Sequence, residues 1–129
     1  MDKSKVLFLA SIAFSYVIAE DPKKLFKDAV DNCSKTQEPI LDHSIIDAAI
    51  KQANLNAIYA KSVLCVYQSL GVMDDKGSVK IDQVQKFLGN LIDDADRIEE
   101  IAELCSKEKN TPEQTAIELF NCIARSVKE

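Results

Sequence analysis

The sequence predicts a single all-helical domain, and three observations support this prediction. Glycine and proline are scarce, with three of each in 129 residues. Aliphatic side chains recur at steps of three and four residues, which is the spacing of one face of an α-helix. No segment alternates apolar and polar residues convincingly enough to predict a strand. Because a compact core needs roughly 100 residues, we expect one domain.

The N-terminal segment has the pattern of a secretory signal peptide spanning residues 1–19. Lys3 and Lys5 form a basic start, and the uncharged residues 6–19 that follow are apolar or small. Val17 and Ala19 supply the small side chains that signal peptidase requires, so we expect cleavage after Ala19. The alternatives are a membrane anchor or a buried helix, but the apolar run is shorter than the roughly 20 residues that span a bilayer. The helical domain is therefore expected to span residues 20–129.

The first two helices are predicted from their starting residues. Asp21 is suited to cap a helix that runs from Pro22 to about Lys35. Pro22 fits the first helical position, because proline loses no hydrogen bond there. Pro39 interrupts the pattern, and Asp42 can cap a second helix. The apolar faces of these two helices consist of Leu25, Phe26, Ala29, Val30 and Cys33, and of Ile45, Ile46, Ala49 and Ile50.

A third helix is expected from Asn54 or Leu55 to Leu70, where Gly71 is a natural stop. Its apolar residues surround nearly the whole helix, which predicts a central, buried element. A turn over residues 73–78 follows; it lacks the alternating oxygen ligands and closing glutamate of a calcium-binding loop. The apolar residues that mark a fourth helix are Ile81, Val84, Phe87, Leu88 and Leu91.

The fifth and sixth helices complete the domain. The fifth is expected from Asp93 to Lys107, with Ile98, Ile101 and Ala102 facing inward. The sixth has the clearest start, because Thr111, Pro112, Glu113 and Gln114 combine an N-cap, a first-turn proline and a capping box. An apolar stripe along this helix is formed by Ala116, Ile117, Phe120, Ala124 and Val127.

The charge of the chain argues against two kinds of partner. Cleavage after Ala19 would remove Asp2, Lys3 and Lys5, and would take the net charge from -5 to -6. Nucleic acids and anionic membranes require a basic surface, which this chain does not assemble. We therefore expect neither nucleic-acid binding nor stable membrane insertion.

All four cysteines follow the expected cleavage site, so two disulfides are the default in an oxidising compartment. Cys33, Cys65, Cys105 and Cys122 allow three pairings, and residue-level reasoning does not choose among them. They are also too far apart in sequence for a zinc-binding pair, so we expect no metal. Two cross-links could offset the cost of a hollow interior, or they could simply stabilise a solid small domain. Composition favours neither reading.

The cysteine spacing resembles that of the insect odorant-binding protein family of the PBP/GOBP type. The intervals contain 31, 39 and 16 residues, and the resemblance extends to the acidic charge, the helical pattern and the motif ELFNC that ends at Cys122. Six-cysteine members carry further cysteines at the positions that Lys61 and Glu113 occupy here. The chain is therefore similar to the minus-C subclass, which lacks one bridge.

The resemblance implies a fold, a pairing and a function. It implies six helices around one apolar cavity, with Cys33 bonded to Cys65 and Cys105 to Cys122. The implied function is that of a secreted carrier that reversibly binds small hydrophobic molecules such as odorants or pheromones, with a membrane receptor as a further candidate partner. At the missing bridge, Lys61 and Glu113 either face each other as an ion pair or are unrelated surface charges.

Apolar faces of the third, fourth and sixth helices provide the candidate ligand-binding residues, although each could equally be ordinary core. The candidates are Tyr59, Val63, Val66, Val84, Phe87, Leu88, Leu91, Ile117, Phe120 and Ile123. The hydroxyl groups of Tyr59 and Tyr67 could each meet a polar group on a ligand. No cofactor is expected.

Two other functions remain open at this point. The first is a secreted structural or signalling protein of venom, haemolymph or seminal fluid, with a solid core and a protein partner. The second is a secreted hydrolase that uses His43, which has Asp42 and Asp47 near it in sequence. Acid-base catalysis by His43 would need a nucleophile or a metal-bound water, and the sequence offers no partner for either role. We therefore expect no enzyme.

Overall fold

The computed structural model describes residues 22–128, and this range contains six α-helices, a short 3-10 helix at Ala57–Tyr59 and no strand. The predicted all-helical fold is confirmed. The predicted signal peptide over residues 1–19 and the Asp21 cap lie outside the described residues. The six helices are α1 (Pro22–Ser34), α2 (His43–Gln52), α3 (Ala60–Ser69), α4 (Ile81–Leu88), α5 (Ala95–Cys105) and α6 (Pro112–Lys128).

Polar side chains fix where three of the helices begin. Asp42 Oδ1 accepts the Ile45 amide at 2.9 Å at the start of α2. Thr111 Oγ1 accepts the Gln114 amide at 3.1 Å at the start of α6. Both caps are those the sequence predicts. Asp94 caps α5 by accepting two backbone amides, so this helix begins two residues later than the predicted Asp93.

The third and fourth helices are shorter than the sequence predicts. The Asn56 side chain accepts the Ile58 amide at 3.0 Å and starts a 3-10 turn, so the regular α-helix begins only at Ala60. The fourth helix ends at Leu88, and Leu91 lies in the turn that follows, where its amide donates to the Leu88 carbonyl at 2.8 Å. Apolar spacing continues through both segments, which explains why periodicity alone extended the helices.

Helix α6 lies at the centre of the domain, since it packs against α2, α3 and α5. Its Ala116 and Leu119 have no exposed surface. Helix α1 packs on α3, and α4 packs on α5. The sequence predicts α3 as the central helix, but α3 keeps Lys61 exposed and shares the central position with α6.

Two disulfides join neighbouring helices, and they confirm the pairing that the family resemblance implies. Cys33 in α1 is bonded to Cys65 in α3, with their Cα atoms 5.9 Å apart. Cys105 at the end of α5 is bonded to Cys122 in α6, with a Cα separation of 5.5 Å. Each bridge therefore fixes one pair of packed helices.

The junction between α3 and α6 has neither a third bridge nor the hypothesised ion pair. Among the side chains of residues 23–127, Lys61 and Glu113 form no ion pair with each other. Buried polar groups tie loops to these helices instead. Asn121 in α6 accepts the Leu55 amide at 2.7 Å, and Ser62 in α3 donates to the Pro39 carbonyl at 3.0 Å.

The predicted turn after α3 packs against the start of α6. Asp74 Oδ1 accepts the amides of Lys76 and Ser78 at 2.9 and 2.8 Å. Gly77 has a φ of 87°, in the left-handed region, and a Cβ added there would lie 2.5 Å from Pro112 Cβ. Glycine is thus required both by the backbone angle and by the close approach of Pro112.

Replacing Gly77 tests this contact. Gly71 is a matched control, because its φ is also positive, at 78°, but an added Cβ would meet no atom within 4 Å. We expect Gly71→Ala to cost about 1 to 2 kcal/mol for the backbone strain alone. Gly77→Ala should cost about 1 to 3 kcal/mol more, because Pro112 must also move. Urea unfolding gives both values, and equal losses in the two variants would show that the Pro112 contact is unimportant.

Carboxylates that accept backbone amides make the fold sensitive to acid. The Ile45 amide is the main cause that holds the pKa of Asp42 below its ordinary value. The Ser78 amide does the same for the pKa of Asp74. Because the folded state then binds fewer protons than the unfolded state, the stabilisation is present above the unfolded pKa of about 3.9 and is lost as the pH falls below it.

The corresponding variant is the double substitution Asp42→Asn with Asp74→Asn, since the amide oxygen still accepts hydrogen bonds but does not titrate. We expect the free energy of unfolding of the parent to fall as the pH drops below about 4. The free energy of unfolding of the double variant should fall less over the same range. Asp75→Asn is the control, because Asp75 accepts no hydrogen bond among the described residues. Urea unfolding at several pH values measures the effect, and parallel pH profiles for parent and double variant would contradict it.

Candidate ligand-binding pocket

A pocket of about 450 Å³ lies between α1, α4 and α6. Most of its wall is apolar. Leu25 and Leu91 belong to the wall and are 44% and 52% exposed, so the pocket opens to solvent along this side. The apolar wall residues are Leu25, Phe26, Ile50, Leu70, Val72, Phe87, Leu91, Phe120, Ile123, Ala124 and Val127.

Helices α1 and α4 both contribute to the wall of this pocket, although they are not packed along their lengths. Cys33 fixes the C-terminal end of α1 to α3, and Phe26 lies two helical turns before it on the same face. Helix α4 is held to the core by Val84 and Leu88, which have no exposed surface, and Phe87 is left for the pocket wall. The rings of Phe26 and Phe87 lie 6.3 Å apart between centroids and are tilted by 44°.

Helix α6 supplies the longest stretch of wall, and two interactions hold it in place. Phe120 and Ile123 flank Cys122, whose bridge to Cys105 attaches α6 to α5. Near the end of the helix, the Arg97 guanidinium donates to the Ser126 carbonyl, one of the carbonyl groups that a helix end leaves without an intrahelical partner. The wall residues of α6 are therefore fixed by covalent and polar contacts on the opposite face.

Polar groups are unevenly distributed around the pocket. Lys23, Gln83, Lys86 and Asn90 are exposed or half-buried and lie at the opening. Tyr67 in α3 is the exception, since it is only 3% exposed. Burial raises the pKa of Tyr67, so its hydroxyl stays protonated at ordinary pH.

The structure brings together four of the ten candidate residues from the sequence. Those that line the pocket are Phe87, Leu91, Phe120 and Ile123. Those that lie in the hydrophobic core, 0 to 4% exposed and outside the pocket wall, are Val63, Val66, Val84 and Leu88. Tyr59 is half-buried in the 3-10 helix, and Ile117 borders a shallow, more polar depression elsewhere.

Several wall residues were absent from the candidate set. Leu25 and Phe26 belong to the predicted apolar face of α1, so the periodicity signal was present but did not separate core from pocket. Leu70 ends the predicted third helix, and Val72 lies in the loop that follows, where helical periodicity carries no information. A pocket wall can be identified only when it is known which apolar side chains have no neighbour. The packing of the helices shows this, and the sequence does not.

His43 lies away from this pocket and has a different partner from those expected. Its Nε2 is 3.3 Å from Asp31 Oδ1, a contact between α2 and α1. A hydrogen bond from Lys27 is the main cause that holds the pKa of Asp31 below its ordinary value, and His43 adds to it. Among the described residues, no hydrogen bond links His43 to a serine, threonine or cysteine.

Within residues 22–128, no cluster of three or more histidine, cysteine, aspartate or glutamate side chains is suited to hold a metal ion. None of the helices in the same range combines the length and the apolar character needed to cross a bilayer.

A family model and several known proteins are similar to this chain. The family model of the PBP/GOBP family matches residues 16–126. The B1 protein of Tenebrio molitor is 24% identical over 108 residues, which cover 84% of this chain and 82% of that protein. The B2 protein of the same beetle is 29% identical over 63 residues, 49% of each chain.

A mosquito protein adds a functional name to this comparison. Odorant-binding protein 10 of Aedes aegypti is 33% identical over 60 residues, which cover 46% of this chain and 42% of that protein. No solved structure matches the chain significantly.

The different roles of Leu88 and Leu91 can be tested by stability measurements. Leu88 has no exposed surface, so Leu88→Ala should leave a cavity and cost about 2 to 5 kcal/mol. Leu91 is 52% exposed at the pocket opening, and Leu91→Ala should cost about 0.5 kcal/mol or less. Urea unfolding of the two variants measures the difference. A large loss for Leu91→Ala would place this residue in the core.

Proposed function

The chain belongs to the PBP/GOBP family, and from this premise we propose that it is a secreted carrier that reversibly binds small hydrophobic molecules in the pocket between α1, α4 and α6. Four cysteines in place of six fit the minus-C subclass of the family. The family comprises binding proteins rather than enzymes. One observation carries the proposal, namely an apolar pocket of about 450 Å³ at the junction of three helices.

The size and chemistry of the pocket support this function. Pockets that bind small molecules measure about 300 to 1,000 Å³, and most of their lining is hydrophobic or aromatic. Three phenylalanines, Phe26, Phe87 and Phe120, contribute to the wall and offer large apolar surfaces. A guest that covered them would gain roughly 25 cal/mol for each Å² of apolar surface removed from water. Binding of this kind needs no cofactor and no chemical step.

The opening of the pocket supports reversible binding. Leu25 and Leu91, about half exposed, lie where a ligand would pass between solvent and wall. Because the wall is reached from the surface, exchange of the ligand does not require the cross-linked helices to separate. Broad selectivity follows, since apolar contact discriminates poorly among guests of similar size.

The structure favours this function over the two alternatives. A structural or signalling protein would not need an apolar pocket of about 450 Å³. A hydrolase would need a nucleophile beside His43, which instead contacts Asp31 on the protein surface, outside the pocket wall. Secretion follows from the predicted signal peptide and is part of the proposal. A membrane receptor is proposed as the recipient of the loaded carrier, while nucleic acids are not proposed as partners.

Binding of the fluorescent probe N-phenyl-1-naphthylamine tests the carrier function. The mature chain should enhance the fluorescence of this probe, and decan-1-ol should displace it. Leu91→Ala should weaken binding about fivefold. A ligand that covers about half of the Leu91 side chain would lose about 1 kcal/mol of apolar burial when this side chain is truncated. Titration of the probe gives the dissociation constants.

Leu104→Ala is the matched control for this measurement. Leu104 in α5 is 57% exposed, similar to Leu91, but it does not line the pocket. We expect Leu104→Ala to bind the probe like the parent. The proposal fails if the parent does not bind the probe, or if truncation of Leu104 weakens binding as much as truncation of Leu91.

A further inference from the structure

The hydroxyl group of Tyr67 is a buried polar group without a partner in an otherwise apolar wall. Tyr67 is 3% exposed and lines the pocket. Among the hydrogen bonds of residues 22–128, none involves its hydroxyl, and desolvation is the only influence on its pKa. An unpaired buried hydroxyl is costly to maintain, so such a group calls for an explanation.

Tyr67 is one of the residues that line the pocket, and the open space that it borders is the pocket. The phenol is therefore placed where it can donate to a molecule inside the pocket.

We infer that the preferred ligands are apolar molecules with one neutral oxygen acceptor, such as a ketone, aldehyde, ester or alcohol, and that this oxygen accepts a hydrogen bond from Tyr67. The inference rests on the proposed function and names the ligand class of the same pocket. The hydrocarbon part of the ligand would lie against Phe87, Phe120 and Ile123, which complete the apolar wall.

The arrangement of the other polar groups supports a neutral oxygen at this position. The charged groups of Lys23 and Lys86 lie on the exposed rim, whereas Tyr67 is enclosed by apolar residues. A carboxylate at Tyr67 would lose its hydration for a single hydrogen bond, which is unfavourable. A ketone or ester oxygen loses much less, and a single phenol donor can satisfy it.

The test uses Tyr67→Phe, which removes the hydroxyl and keeps the ring. Decan-2-one and undecane are suitable competitors for the fluorescent probe, because both have eleven heavy atoms but only the ketone has an acceptor. We expect Tyr67→Phe to weaken decan-2-one binding about fivefold, which is within the range of one neutral hydrogen bond. Undecane binding should change less than about twofold, since its contacts are unaltered.

Tyr59→Phe is the matched control, because it is the same substitution at a tyrosine outside the pocket wall. It should leave the binding of both competitors unchanged. Equal effects of Tyr67→Phe on ketone and hydrocarbon, or no effect on either, would overturn the inference. So would a ketone-specific loss in Tyr59→Phe. If the parent binds neither the probe nor the competitors, the carrier function itself fails, and this result is distinct from the others.

Infrared spectroscopy of bound decan-2-one provides a second measurement on the parent chain, which does not depend on how the variant folds. A carbonyl stretching band shifts to lower wavenumber when its oxygen accepts a hydrogen bond. We expect this shift in the parent and its loss in Tyr67→Phe. A band at the position found in an alkane solvent, in the complex with the parent, would overturn the inference.

Discussion

The rest of the structure depends on how two disulfides, together with the packing of α3 on α6, join four of the helices. The Cys33–Cys65 bridge fixes α1 to α3, and the Cys105–Cys122 bridge fixes α5 to α6. Helix α3 packs on α6, so the two cross-linked pairs form one frame. A disulfide typically stabilises a small protein by 2 to 4 kcal/mol. This contribution helps a domain of limited size to tolerate a region where side chains do not fill the space.

The pocket lies where this frame meets α4 and the N-terminal half of α1. Helix α4 packs on α5 and carries no cysteine. The N-terminal half of α1, with Phe26, extends beyond the bridge at Cys33. Phe26 and Phe87 approach each other from these two elements. The wall formed by α6 is therefore cross-linked to α5 through Cys122, and the pocket opens to solvent beside Leu25 in α1 and Leu91 after α4.

Much of the fold could be predicted from the sequence, because helix starts and apolar periodicity are local properties. The caps at Asp42 and Thr111 and the number of helices follow from such signals. The 3-10 turn before Ala60 could not be predicted, because the Asn56 side chain competes with the regular helix without interrupting the apolar pattern. The disulfide pairing came from a family resemblance, since local signals do not relate cysteines that are distant in sequence.

The candidate site was less predictable, for a physical reason. Core and pocket walls use the same residue types, and Leu88 and Leu91 look equivalent in sequence. They differ because Leu88 is fully buried in the last turn of α4, while Leu91 follows the end of this helix and is half exposed. Likewise, Tyr59 and Tyr67 were equivalent candidates for a polar contact. Only the packing of the helices places Tyr67 against open space and Tyr59 outside the pocket wall.

The central claim is that a small hydrophobic guest occupies the pocket between α1, α4 and α6. The most direct measurement is a set of intermolecular nuclear Overhauser effects between ¹³C-labelled protein and unlabelled decan-2-one. The account predicts contacts from the ligand chain to the rings of Phe87 and Phe120 and to the methyl groups of Ile123. Contacts confined to exposed apolar residues away from the pocket, such as Leu104, would contradict it.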